Sequence, residues 1–350
     1  MGQLAAHINI FDPNHKYTTG YSKPRSTPWH LTSSPEWSGA DWTQDSVAEM
    51  GQYIALTHPD PLDLVSIHLY PDGDRLGLDG RDPRLIGRYQ DAADAIGKPL
   101  FIGEFGDTNP TVSELRSANF TRRCLLETLT RRVPLSLIWV WEFYQFAPDA
   151  PSTHSIEPGV DDDLIGMYSE IDTWLGAAST DRGLALAVPN YSMEADVDSD
   201  QLADGWESTW RDGSSTGWLA EQRVNAADAF EDDAFLRLDS GAGDAASFVY
   251  ARSDSIAVSG GEDVVLSAAI RRHLNGSQRA RLSLVELDGS DSELRATLLE
   301  LDDALGWVYR VEYQRQQLLA ATRAVRIRVA AGGADNTIVD FDDVRLFQVR

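Results

Sequence analysis

The chain has one cysteine, three lysines and no long apolar run, and each scarcity removes a class of protein. The single Cys124 excludes an intrachain disulfide and any zinc site built from cysteines. A membrane-spanning helix needs about 18 or more consecutive apolar residues, and no such stretch exists. The opening MGQLAAHINIFDPNHK lacks a basic segment followed by a long apolar one, so no signal peptide is read there. Positive charge is scarce too. Against 55 acidic residues stand 30 basic ones, a net −25 that opposes bulk-charge binding to nucleic acid or to an anionic membrane. Lys16, Lys23 and Lys98 are the only lysines. An acid-rich, lysine-poor surface fits a halophile, or an exported acidic protein from a GC-rich genome, and neither identifies a function. What is plentiful is core material. At 350 residues, 42% hydrophobic and 9% aromatic, the chain can bury real cores and is expected to form two domains.

Two patterns divide the chain near residues 178–190. Up to about residue 177, short apolar runs alternate with helical stripes, the rhythm of a parallel β/α sheet. Ser46-Val-Ala-Glu49 is a capping box ahead of the stripe Val47, Met50, Ile54. Strands are expected at residues 64–70, 100–104 and 135–141, with a short strand-like run at 17–19. Helices are expected at 83–97, closed by Gly97, from about 111 to 132, and around Leu164, Met167, Ile171 and Trp174. That makes about four β/α units, whereas a complete (β/α)8 barrel takes roughly 250 residues. From Val188 onward the pattern is strict alternation, as in Val325, Ile327 and Val329 between Arg326 and Arg328. Turn signals such as Asp288-Gly289 punctuate it, and an antiparallel all-β sandwich follows. The expected domains are therefore residues 1–177, a linker at 178–187 and residues 188–350.

Side chains alternate faces along a strand, so Ser66, His68 and Tyr70 share one face, as do Leu100, Ile102 and Glu104. In a parallel β/α sheet functional groups sit at the C-terminal strand ends, and three successive strands here end in Tyr70, Glu104 and Trp141. A carboxylate, a phenol, an imidazole and an indole in that arrangement suit a sugar: the indole offers a flat apolar face, the phenol a donor to the carboxylate. Taken singly, His68 and Trp139 fit ordinary core packing. Glu104 does not, because an acid ending an apolar strand between Gly103 and Gly106 is costly to bury.

His68-Leu-Tyr70, then Lys98-Pro-Leu-Phe-Ile-Gly-Glu-Phe-Gly106, then Ile138-Trp-Val-Trp141 resemble strands six to eight of the cellulase-like glycoside hydrolases, retaining (β/α)8 enzymes that include endoglucanases and β-mannanases. Asp12-Pro-Asn-His-Lys-Tyr-Thr-Thr-Gly20 is similar to the family's approach to strand five, so the resemblance covers about residues 5–177. It implies Glu104 as nucleophile, Tyr70 and His68 as the groups that hold it, and Trp141 as sugar platform over a packing Trp139. Trp29 and His30 would line a neighbouring subsite or pack a loop. The implied partner is a polysaccharide or oligosaccharide, no catalytic cofactor is needed, and the full-length parent would be extracellular.

One departure matters. The family's acid/base is the Glu of an Asn-Glu pair ending strand four, and this sequence contains no Asn-Glu dipeptide. Glu142 points opposite to Trp141 by parity and is a poor substitute. Residues 3–11 look like the helix after strand four, so the expectation is a truncated enzyme without turnover of its own, whose open sheet edges need a second chain or self-association. A non-catalytic carbohydrate-binding protein and an adhesive surface module are the alternatives. Val188-Pro-Asn-Tyr-Ser-Met-Glu194, Asp204-Gly-Trp206 and Val339-Asp-Phe-Asp-Asp-Val-Arg345 resemble the jelly-roll carbohydrate-binding modules. That resemblance implies a structural calcium held by Glu194 and Asp342 with main-chain carbonyls. Trp206, Trp210, Trp218, Tyr250 and Trp307 are available for sugar contact or core, and nothing in the sequence chooses among them.

Overall fold

A computed structural model describes residues 2–32, 34, 39–71, 73, 76–78, 80, 82–106, 114–139, 156, 162–175, 184–186, 188–210, 218–225, 228–230, 233–241, 247–273, 278–301, 310–333 and 337–349. The chain divides into two compact units, Met1–Thr180 and Asp181–Arg350. Among the described residues no helix is long and apolar enough to cross a membrane.

The first unit opens with α1 (Gly2–Phe11), α2 (Pro28–Thr32) and α3 (Val47–Thr57). There follow β1 (Val65–Leu69), α4 (Leu85–Ala95), β2 (Leu100–Phe105), α5 (Glu114–Arg131), β3 (Leu135–Ile138) and α6 (Asp162–Leu175). The strands form a parallel sheet in the order β1-β2-β3. Parallel neighbours require a crossover, which α4 and α5 provide. Residues 17–19 are not a strand. They flank β1 instead, where the Tyr17 carbonyl accepts from the Asp63 and Leu64 amides. One sheet face is sealed: Val65, Ile67, Leu69, Leu100, Ile102 and Phe105 are buried, with α4 packed on β2. The other face is open along β3, where Leu135 and Leu137 are 48% and 46% exposed.

The second unit contains β4 (Leu184–Leu186), β5 (Trp206–Trp210), β6 (Leu219–Val224), β7 (Ala234–Asp239), β8 (Phe248–Ser253), β9 (Ile256–Ala257), β10 (Asp263–Arg272) and β11 (Gln278–Leu287). It ends with β12 (Glu293–Leu301), β13 (Arg310–Gln317), β14 (Ala324–Gly333) and β15 (Ile338–Val349). One sheet runs β13-β10-β15-β7-β6 with β4 beside β15, the other β12-β11-β14-β8-β5 with β9 beside β14. Alternate residues from both, among them Leu266, Phe341, Leu282 and Ile327, share one core, the two-layer packing of a jelly-roll sandwich. The expected linker is corrected at its end. Leu184–Leu186 pair antiparallel with β15, so the sandwich claims three residues read as connector.

Candidate functional site

Simple alternation would put Glu104 on the sealed face with Leu100 and Ile102. The structure corrects this. Ile67 pairs with Ile102 but His68 pairs with Glu104, and on the other side Ile102 and Phe105 pair with Ser136 and Ile138. β2 therefore carries one extra residue after Ile102, a β-bulge at Gly103, which swings Glu104 to the open face beside His68 and returns Phe105 to the sealed one. Gly103 permits the approach: a Cβ there would lie 2.8 Å from His68 Nε2. Gly106 lets β3 close in, since its Cβ would meet the Trp139 carbonyl oxygen at 2.5 Å.

The Tyr70 hydroxyl donates a short hydrogen bond to Glu104 Oε2, and His68 Nδ1 lies 3.2 Å from the same oxygen. Among the described residues Glu104 Oε1 accepts no hydrogen bond. Burial first, then the bond and charge of Glu104, hold the Tyr70 phenol well above its usual range, so it stays a donor. Lys23 Nζ donates to the Tyr70 carbonyl at 2.7 Å and ties the loop before α2 to this strand end. Glu104 and His68 side chains are each 25% exposed, half-buried and reachable.

Trp141 and Glu142 lie outside the described residues. Trp139, expected as packing, is 38% exposed on the open face. Trp29 and His30 sit on α2, tied to Asp45 in the segment before α3. The buried Asp45 carboxylate accepts from the Trp29 amide at 2.8 Å and from His30 Nδ1 at 2.7 Å. That bond from Asp45, with the charges of Glu49 and Asp41 nearby, raises the His30 pKa. Cys124 is buried, and desolvation pushes its thiol far up, out of reactive range.

In the sandwich, Glu194 Oε1 accepts from the amides of Asp233 and Ala234 at 3.1 and 2.7 Å, and Asp342 Oδ2 from that of Phe230 at 2.8 Å. Both carboxylates thus anchor one short segment, and hard oxygens of this kind suit calcium. A second acidic group escaped the sequence analysis: oxygens of Asp196, Asp198 and Asp204 lie within 4.8 Å of one another. The alternate spacing of Asp196 and Asp198 was its only local signal. Trp206 is buried and its indole donates to the Pro189 carbonyl at 2.9 Å, so it serves the core, whereas Trp218 is exposed.

No protein-family profile matches the chain. No curated protein matches it. Solved structures with some likeness include glycoside hydrolases and carbohydrate-binding modules. The arabinose-bound MgGH51 α-L-arabinofuranosidase aligns at TM-score 0.38 and 11% identity over 49% of this chain and 27% of that one. The CBM22-1 xylan-binding domain of Paenibacillus barcinonensis Xyn10C aligns at TM-score 0.33 and 14% identity over 49% and 99%. For the enzymatically active domain of bacteriophage CBA120 tailspike protein 4 the values are 0.35 and 10%, over 46% and 21%. The chain thus spans about a fifth of the tailspike domain's length and about a quarter of the arabinofuranosidase's.

Proposed function

We propose that residues 1–177 are the C-terminal half of a retaining (β/α)8 glycoside hydrolase acting on a β-linked polysaccharide of the glucan or mannan kind, and that residues 188–350 are its carbohydrate-binding module. The supporting observation is the division of labour at Glu104, with Oε2 held by the Tyr70 hydroxyl beside His68 and Oε1 accepting no hydrogen bond among the described residues. A carboxylate nucleophile needs one oxygen fixed and one available. Oε1 attacks the anomeric carbon, the bond to the leaving oxygen breaks with its electron pair, and a glycosyl ester forms on Glu104. Tyr70, kept protonated, donates to the carboxylate and fixes one of its oxygens, and His68 keeps it from rotating. Trp141 is the sugar platform of this reading. A second carboxyl about 5–5.5 Å away must protonate the leaving oxygen in that step and then, as base, activate the water that hydrolyses the ester, and it comes from a second chain or from the remainder of a longer, extracellular parent. Glu194 and Asp342 would hold a structural calcium that ties the first and last strands of the module.

Activated fluorinated dinitrophenyl glycosides of glucose and mannose test this, because their leaving group departs without an acid. Intact mass spectrometry of the full chain is expected to gain one fluoroglycosyl unit on Glu104, absent from E104Q, with no steady hydrolysis of glucan or mannan. The missing Asn-Glu pair favours a second reading, a carbohydrate-binding protein without catalysis. Absence of any adduct, together with E104Q that binds glycan like the wild type, selects that one.

A further inference from the structure

His30 on α2 stands among three carboxylates. Its Nδ1 lies 2.7 Å from Asp45 Oδ1, and its Nε2 lies 3.5 Å from Glu49 Oε1 and 4.0 Å from Asp41 Oδ2. Each carboxylate is fixed by its other oxygen. Asp45 Oδ2 accepts from the Trp29 amide at 2.8 Å, Glu49 Oε2 from the Ser46 amide at 2.8 Å, and Asp41 Oδ1 from the Thr43 amide at 2.9 Å. The ring therefore enters a cluster that is already arranged. Nδ1 donates to Asp45 in either protonation state, so Nε2 is the atom that gains or loses the proton. It is also the atom that faces Asp41 and, on α3, Glu49. A protonated ring attracts both carboxylates, whereas a neutral one turns a lone pair toward them.

We propose that His30 is a proton-operated clasp that fastens α2 to α3 and to the segment before it. The five-residue α2 cannot persist alone, so its order depends on what docks it against α3. It supplies Pro28, Leu31 and Thr32 to a groove whose other walls include Tyr53 of α3 and Lys23, the residue bonded to the Tyr70 carbonyl. The clasp thus sets the shape of a groove at the strand end that carries Tyr70, and it stands whether or not the glycosidase reading does. Among the described residues the charges acting on the ring are Asp45, Glu49 and Asp41, all negative. The bond to Asp45 first, then these charges, hold the His30 pKa above the ordinary imidazole value. Tyr53, also on α3, keeps its proton throughout, since burial and its bond with Tyr21 hold the phenol well above its usual range. A histidine raised in the folded state contributes stability below the unfolded pKa of about 6.5 and loses it as pH rises through the folded one. The clasp is therefore closed in mildly acidic solution and released in base.

Hydrogen exchange of the full chain between pH 6 and pH 9, corrected for the intrinsic rate at each pH, tests this at the amides of Trp29, His30 and Leu31. Their protection is expected to fall about fivefold across that range, the upper worth of a partly exposed ion pair, with no such step in β1 and β2. H30Q should exchange at the high-pH rate throughout. E49Q keeps the capping box, because Gln serves at that position too, and D41N keeps an acceptor for the Thr43 amide. Each should move the step to lower pH, since each removes a charge that favours the imidazolium. Flat protection in the wild type, a step that survives in H30Q, or midpoints unmoved in both E49Q and D41N overturn the proposal. So does an equal step in the buried strands β1 and β2, which would report loosening of the whole unit.

Discussion

Gly103 has no side chain, and the site is built around that fact. It takes the bulge of β2, leaves room for the His68 ring and re-aims the carboxylate that follows it. An alanine there would press its Cβ into His68 Nε2, so G103A is expected to displace the imidazole and cost about 1–3 kcal/mol of stability. Formation of the Glu104 adduct should slow by roughly a hundred-fold, the penalty for a reacting group misplaced by about 1 Å. A melting curve and the adduct rate measure both; an unchanged rate would mean that the bulge does not aim the Glu104 carboxylate. Gly-Glu-Phe-Gly was legible in the chain, and so was the pairing of Glu104 with Tyr70. The face was not. Alternation counts residues along one strand, whereas a bulge is defined by the register of β1 and β3 on either side.

Helices α2 and α3 show how far local signals reach. The capping box at Ser46 is written within four residues, and the structure forms it as anticipated: the Ser46 amide donates to Glu49 at 2.8 Å and the Glu49 amide to the Ser46 hydroxyl at 3.3 Å. S46A should cost about 1 kcal/mol in urea unfolding of the first unit. No change in the midpoint would show that packing of Met50 and Ile54 alone holds the helix. The five-residue α2 is too short to persist alone. Its anchor is Asp45, which gathers the Trp29 and His30 amides and His30 Nδ1 from 15–16 residues away. Nothing near residue 30 announces that partner, so the sequence left Trp29 and His30 between subsite and packing.

Across the whole molecule, the costliest electrostatics lie in the sandwich. Asp340 is fully buried and accepts from Arg237 Nε at 2.7 Å, from Arg271 at 2.6 Å and from His273, on three adjacent strands and their margins. Burial pushes its carboxyl up, but the bonds from His273 and Arg237 outweigh that and hold it below the ordinary carboxylate value. A depressed carboxyl contributes stability above the unfolded pKa of about 3.9 and loses it as pH falls through the folded one. The sandwich should therefore weaken below about pH 4, and D340N should abolish that part of the acid limb. D340N should also cost about 3–5 kcal/mol at neutral pH, since it removes the buried charge that Arg271 and Arg237 share. Denaturant titrations followed at both pH values decide it, and a D340N midpoint equal to the wild type would show the cluster to be energetically idle. No local pattern in the sequence joins Arg237, Arg271, His273 and Asp340, which stand up to 103 residues apart.

Whatever depends on neighbours a few residues apart could be read without coordinates: the α3 cap, the stripes of the first half and the alternation of the second. Those features rest on backbone periods of 3.6 and 2, which adjacent side chains encode. The bulge that aims Glu104, the Asp45 anchor and the shared Asp340 came only from folding. Each joins segments far apart in the chain, and which of them meet is settled by burying both faces of a sheet at once rather than by any local preference.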